Sequence, residues 1–286
     1  MKKLLLTGAT GFVGSYFQKK YITKYAIQKF SFLKDDFADL HVQGVDVIVH
    51  LSALVHQMGG ASTQAYEDIN VAQTLALARR AKEHGVSHFI FMSTVKVYGE
   101  ESREIYNEAS ACNPQDEYGK SKLKAERALE KLEDRNFKVS IVRTPIVYGY
   151  GVKANIKNLI ALIDKVSILP FGSIENKRSL TYVGNVCALI DCIIQKRQSG
   201  VFLASDDKAL STTQLIESIA KIKKKSYYLF KLPLFAKVLR WVKPALYKRL
   251  FESLEVDNTQ TKKVLGFENP YSIQEGIALM VNGEKL

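Results

Sequence analysis

Two periods of apolar residues alternate along this chain. Residues 3–6, Lys-Leu-Leu-Leu, form a short run suited to a buried strand, and Phe12, Val13, Tyr16 and Phe17 then return at helical spacing. Gly8, Gly11 and Gly14 therefore fall at a strand-to-helix turn. A helix over 14–25 leads to residues 27–33, where apolar and polar positions alternate as in a second strand. Residues 45–53 are a nearly continuous apolar run, typical of a parallel strand covered on both faces. Only 37–44 separates these two strands, so the sheet is expected to lack one edge strand with its helix.

Helical periodicity continues over 66–84 through Ile69, Ala72, Leu75, Leu77 and Ala81, and Gly85 stops it. Residues 88–93 predict a strand, 118–135 a helix after the turn at Asn113-Pro114-Gln115-Asp116-Glu117, and 137–142 a strand ending at Arg143-Thr144-Pro145. Such alternation predicts a doubly wound parallel α/β sheet of the Rossmann type. Beyond Gly151 the rhythm weakens, although 201–204 reads as one more strand, 212–221 as a helix, and Ser272-Ile273-Gln274-Glu275 as the capping box of a last helix. The expected organisation is a dinucleotide-binding domain over 1–150, rejoined by residues 178 to about 205, and a smaller α+β substrate-binding part over 151–286.

With 286 residues, 47% of them hydrophobic, the chain can bury a large core. No stretch has the length of a membrane-spanning helix, and the N-terminal apolar run stops at Gly8, too soon for a signal peptide; a cytoplasmic protein is expected. Cys112, Cys187 and Cys192 read as unpaired core residues, and His41, His50, His56, His84 and His88 lack metal-ligand spacing, so no metal is expected. The formal charge of +12 is concentrated: residues 221–251 hold ten Lys or Arg and no acid. Tyr227, Tyr228, Phe230, Phe235, Trp241, Tyr247 and Phe251 interleave with these cations. Phe235, Val238, Leu239 and Val242 share one helical face before Pro244. The favoured reading packs that face on the substrate part while the cations surround a sugar diphosphate, and the rival reading makes it a weak membrane-surface contact. No nucleic-acid-reading module is recognisable, so no nucleic-acid partner is expected.

The glycine turn suits a dinucleotide pyrophosphate, because free backbone N–H groups and the positive helix end attract phosphate while missing side chains let it approach. Its spacing, G-x-x-G-x-x-G, is one residue longer than the common fingerprint. At the end of the second strand Asp35 is placed to hold the adenosine ribose, whereas Lys34 would favour a 2′-phosphate, which leaves NAD and NADP both open. Tyr118 and Lys122 lie four apart on a predicted helix and share a face. A free phenol ionises near pH 10 and is a poor base. A neighbouring ammonium and an oxidised nicotinamide would stabilise the phenolate, making Tyr118 a general base. Ser93 and Thr94, at the preceding strand end, supply hydroxyls that can orient a sugar hydroxyl or ketone toward it.

Taken together, Thr7-Gly8-Ala9-Thr10-Gly11-Phe12-Val13-Gly14, His50-Leu51-Ser52-Ala53, Phe91-Met92-Ser93-Thr94-Val95-Lys96-Val97-Tyr98-Gly99 and Tyr118-Gly119-Lys120-Ser121-Lys122 resemble the extended short-chain dehydrogenase/reductase family, in its NAD-dependent epimerase/dehydratase group acting on nucleotide sugars. Arg143-Thr144-Pro145-Ile146-Val147-Tyr148-Gly149, Arg178-Ser179-Leu180-Thr181-Tyr182-Val183-Gly184-Asn185 and Leu265-Gly266-Phe267 extend the likeness over nearly the whole chain. The resemblance implies a catalytic triad of Thr94, Tyr118 and Lys122, with Ser93 beside it and Asn70 as structural support. It implies NAD or NADP held by Gly8, Thr10, Gly11, Phe12, Val13, Asp35, Leu51, Ser52, Ala53 and Pro145 together with Tyr118 and Lys122. It further implies a nucleotide-sugar substrate, most simply a UDP-sugar, whose diphosphate meets Asn155 and Arg178, with Arg249 as a second clamp. Relatives that pair through a four-helix bundle imply a homodimer built on the helices over 66–84 and 118–135.

Departures from the family pattern narrow the activity. Sugar 4,6-dehydratases of this family carry Asp-Glu directly after the catalytic threonine, where this chain has Val95 and Lys96. Hydride exchange at the sugar's C4 remains, as a 4-reductase of 4-keto-6-deoxy sugars in surface-polysaccharide synthesis or as a 4-epimerase with tightly bound NAD. Residues 151–155 and 178–185 resemble enzymes of the UDP-N-acetylquinovosamine 4-reductase kind and tip the expectation toward the reductase. A cofactor-bound scaffold without turnover is the non-catalytic alternative, and the intact triad speaks against it.

Overall fold

The computed structural model describes every residue except 56–60, 103, 233 and 285–286, so His56 lies outside the described residues. The chain begins with β1 (Lys3–Thr7), α1 (Phe12–Tyr21), β2 (Ala26–Phe30) and β3 (Val47–His50). Then follow the short α2 (Thr63–Tyr66), a π-helical turn (Glu67–Ala72), α3 (Gln73–Glu83), β4 (His88–Thr94), α4 (Glu117–Glu130) and β5 (Lys138–Thr144). The second half comprises β6 (Ile146–Tyr148), α5 (Ala154–Lys165), β7 (Ile168–Leu169), β8 (Leu180–Tyr182), α6 (Val183–Lys196) and β9 (Gly200–Leu203). It closes with α7 (Thr212–Ile222), β10 (Tyr228–Leu229), α8 (Phe235–Val242), α9 (Pro244–Phe251), α10 (Thr259–Leu265) and α11 (Ile273–Asn282).

Six parallel strands form the main sheet in the order β2-β1-β3-β4-β5-β9. Among the described residues β2 is the edge on its side, so nothing extends the sheet beyond it. Successive side chains of a strand point to opposite faces, and both faces are covered. Leu4, Leu6, Val47 and Val49 pack against α1 and α6, while Leu5, Ile48, Phe89 and Phe91 pack against α3 and α4. This is a Rossmann-type doubly wound sheet. The pairs β6–β8 and β7–β10 form two small parallel sheets at its carboxyl end.

Three expected elements end differently, each for a local reason. The second strand stops at Phe30 rather than 33, because Asp35 turns its carboxylate back to accept the Ser31 N–H at 2.8 Å. The helix expected over 66–84 starts at Thr63 and widens into the π-helical turn that carries Asn70. The helix expected to reach 135 stops at Glu130, since Asp134 accepts the N–H groups of Asn136 (2.8 Å) and Phe137 (2.9 Å) and leads the chain into β5. The outward residues of α4, Lys120, Lys124 and Arg127, are exposed cations. Pairing two copies through that face would make a polar interface.

The glycine turn is packed tightly enough to fix its composition. Gly8 has φ +69°, and a Cβ there would lie 2.8 Å from the main chain of Leu51 and Ser52. At Gly14 a Cβ would sit 2.2 Å from the Gly8 carbonyl oxygen. Alanine ordinarily stabilises a helix interior by about 1 kcal/mol relative to glycine. Gly14→Ala should instead destabilise by more than about 2 kcal/mol in urea unfolding, because backbone must move to admit the methyl. A neutral or stabilising result would contradict this packing.

Candidate active site

The carboxyl ends of β1, β3, β4 and β5 open onto one cleft of about 670 Å³. Its floor is the glycine turn, and the N-cap of α1, Gly11, supplies no side-chain cap, which leaves the first N–H groups of the helix without a side-chain partner at the cleft. No acid stands in the first turn of α1 to compete with a phosphate. Gly8, Thr10, Gly11, Phe12 and Val13 line this end, Leu51, Ser52 and Ala53 follow from the end of β3, and Pro145 closes the side next to β5. Thr94, Tyr118 and Lys122 lie in the middle, and Asn155, Arg178 and Arg249 at the wall formed by the second half of the chain. Apart from Asp35 and its alternative Lys34, every residue expected to touch cofactor or substrate borders this cleft.

Asp35 stands away from this cleft: one of its carboxylate oxygens accepts the Ser31 N–H, it borders a separate surface hollow with Gln28, Lys29 and His41, and Leu33 lines the cleft. Ser93 borders the cleft, and its hydroxyl donates to the buried Glu126.

Tyr118 and Lys122 are both built on α4. Asp116 caps that helix by accepting the Gly119 N–H at 2.7 Å, so Tyr118 and Lys122 stand on its first turns, facing β4. Lys122 is only 1% exposed, and its ammonium lies 3.8 Å from the centre of the Phe91 ring. Burial lowers its pKa to about 7, against which Glu126, one helical turn on, acts to raise it. Tyr118 is half-buried beside Tyr66, the rings 6.4 Å apart. Burial first, then Asp116 and Tyr66, push its phenol above the ordinary tyrosine range. A lysine largely neutral above pH 7 brings little positive charge to the phenol.

A network that the sequence reading missed lies beneath this pair. Arg143 binds Glu126 through Nη2 (2.6 Å) and Nε (3.2 Å), with the two side chains 6% and 1% exposed, and its Nη1 donates to the Tyr98 hydroxyl at 2.8 Å. Ser93 completes the carboxylate's partners. The signal was present as spacing: Tyr118, Lys122 and Glu126 recur every four residues on one helical face. Asn70 makes the other support. It accepts the Leu54 N–H at 2.8 Å and donates to the Leu54 carbonyl (3.0 Å) and to the Ser121 hydroxyl (2.9 Å), which in turn donates to the Tyr118 carbonyl (2.8 Å). One buried amide thus ties the loop after β3 to the helix that carries the tyrosine.

At the far wall, Arg178 donates from Nη1 to the carbonyls of Glu252 (3.0 Å) and Lys248 (3.3 Å) at the end of α9, and Arg249 donates to Asn155 Oδ1 at 3.3 Å. Burial and then the nearby Arg249 lower the pKa of Arg178. Two guanidinium groups thus stand on one wall of the cleft. Lys96, where a dehydratase would carry an acid, is tied to Asp116 and to Glu100 (3.2 Å). Among the described residues no cluster of His, Cys, Asp and Glu could hold a metal.

A glycine-floored cleft with uncapped helix N–H groups at one end and a Tyr-Lys pair at its centre defines a nicotinamide-dinucleotide-dependent enzyme. The comparisons with known proteins give the family. A model of the NAD dependent epimerase/dehydratase family matches residues 4–203. A UDP-glucose 4-epimerase of Vibrio cholerae is 36% identical over 96% of this chain and 93% of its own length. An N-acetyl-alpha-D-glucosaminyl-diphospho-ditrans,octacis-undecaprenol 4-epimerase of Escherichia coli O157:H7 is 27% identical over 76% of this chain and 71% of its own. Among solved structures, a UDP-glucuronic acid 4-epimerase from Bacillus cereus in complex with NAD superposes with a TM-score of 0.79 at 20% identity, covering 98% and 97% of the two chains. The chain belongs to the NAD-dependent epimerase/dehydratase family and is an enzyme of that nucleotide-sugar type, with a nicotinamide dinucleotide as its cofactor. The close backbone approach at Gly8 and Gly14 and the uncapped start of α1 fit that group.

Burying the Lys122 ammonium costs stability. Its pKa is lowered on folding, so the cost is present in full below pH 7 and disappears as the pH rises toward the lysine's ordinary value. Lys122→Met should therefore raise stability at pH 6 by roughly 1–3 kcal/mol, with the gain fading toward pH 10, while turnover is lost. Urea midpoints across this range check it; a gain independent of pH would contradict the buried charge.

Proposed function

We propose that the enzyme exchanges hydride at C4 of a UDP-linked hexose and works as a 4-epimerase. The observation that carries this reading is the position of Tyr118 and Lys122 in one cleft, between the glycine turn and the paired Arg178 and Arg249. The arginines take the substrate diphosphate by charge-assisted hydrogen bonds. That anchors the sugar with its C4 hydroxyl toward Tyr118. Thr94, 8% exposed, orients the hydroxyl, and the Tyr118 oxygen accepts its proton as hydride leaves C4. When bound, the nicotinamide supplies the hydride acceptor and donor. After the 4-keto sugar turns over, hydride would return to the opposite face of C4, and Tyr118 gives its proton back to the oxygen on C4. Val95 is buried and Lys96 is ion-paired, so neither serves the C5 and C6 proton transfers of a dehydratase. The 36% identity to the Vibrio cholerae UDP-glucose 4-epimerase supports the epimerase.

One observation favours a second reading, the 4-reductase of a UDP-4-keto-6-deoxy sugar. With Asp35 withdrawn to Ser31, the adenosine ribose loses an expected acidic partner, which suits a cofactor that exchanges every turnover. Purified protein given UDP-glucose should yield UDP-galactose with no net change in reduced-cofactor absorbance. Stoichiometric oxidation of NADH or NADPH by a 4-keto sugar, without epimerisation, would replace the first reading by the second. Tyr118→Phe should lower kcat by about 10²–10⁴-fold while leaving NAD affinity within about threefold, by calorimetry. Near-normal turnover would remove Tyr118 as the proton-transfer group.

A further inference from the structure

The helix pair α8–α9 divides its apolar residues between two directions. Phe235 turns inward, its ring 5.8 Å from Phe171 and 6.1 Å from Phe251, and Tyr247 stacks on Phe251 at 5.2 Å. The face expected to pack as a unit does not: Val238 and Val242 are 57% and 58% exposed. They join Leu234 (65%) and Trp241 (88%) at spacings of three to four residues, forming an outward apolar strip on a helix with no buried residue. Exposed Lys231, Lys237, Arg240 and Lys243 surround the strip. Arg240 lies over the Tyr247 ring at 5.6 Å. Farther cations of the segment are engaged elsewhere, Lys223 with Asp164 at 3.0 Å. Glu252, just beyond α9, is an acid on this side, with Glu101, Lys248 and Arg240 near it.

We propose that this helix pair docks the protein on an anionic lipid bilayer, Trp241 and its aliphatic neighbours entering the headgroup boundary while the surrounding cations meet lipid phosphates. An apolar strip rimmed by cations has that complementarity. A second copy of the chain lacks it, because pairing two such faces sets like charges against each other. No helix among the described residues is long and apolar enough to cross a membrane, so the contact lies in the surface plane. The inner side of α9 gives Ala245, Lys248 and Arg249 to the active-site cleft, so docking turns the diphosphate end of the cleft toward the bilayer. The proposal goes beyond the catalytic reading and stands apart from it: turnover of soluble UDP-glucose in vesicle-free buffer tests catalysis alone.

Trp241 is the single tryptophan of the chain, so its emission reports on this surface directly. With phosphatidylcholine vesicles containing phosphatidylglycerol, its emission should shift to the blue, be quenched by brominated acyl chains, and recover in high salt. The double variant Lys237→Glu/Arg240→Glu should lower vesicle partitioning by at least about tenfold with vesicle-free turnover unchanged. An unshifted spectrum, equal binding to pure phosphatidylcholine, or a blue shift that grows with protein concentration without vesicles would overturn the proposal, the last in favour of a second copy.

Discussion

A nearly inaccessible ammonium, Lys122 against the face of Phe91, is the constraint on which the rest of the site depends. Taking a lysine out of water is costly unless its charge is balanced. Here the balance is partial: Glu126 lies one turn away, but that carboxylate is already held by Arg143 and Ser93. The lysine's pKa is lowered to about 7, and its side chain stands at the wall of the cleft. The site is in this sense unfinished until ligands enter it.

The supports around this charge explain why the expected helix boundaries moved. Asn70 stands on a widened turn, and its single amide meets both backbone groups of Leu54 and the hydroxyl of Ser121. A regular helix from 66 to 84 gives no hint of that geometry, because periodicity records which residues face inward and not how a turn is wound. The same bond chain reaches the Tyr118 carbonyl, so the loop after β3 and the helix that carries the phenol are tied together. Electrostatics reinforce this rigidity, with the Glu126–Arg143 pair joining α4 to β5 and Tyr98.

Local pattern made the sheet legible. Apolar runs such as Leu4-Leu5-Leu6 and Val47-Ile48-Val49 need cover on both faces, and the glycines after the first run permit only a close strand-to-helix turn. The short stretch between β2 and β3 correctly implied a missing edge strand. Tyr118, Lys122 and Thr94 were legible as spacing and order, and the structure brings them to one cleft. Side-chain partners were not legible. Asp35 and Ser93 stand at the expected places in the chain, yet each has a stronger local partner, a backbone N–H for one and a buried carboxylate for the other. The division of α8 into an inward Phe235 and an outward Trp241 was likewise invisible, because the helical face alone does not say where the neighbouring Phe171 and Phe251 stand.

The central claim is that Tyr118 becomes a proton acceptor only when positive charge joins it in the cleft. Its phenolate absorbance, taken as the wild-type minus Tyr118→Phe difference and titrated with and without saturating NAD⁺, measures this directly. The account predicts ionisation above the ordinary tyrosine range in the free protein and a fall of at least about two pH units with NAD⁺ bound. An ionisation that stays in place when NAD⁺ binds would contradict it.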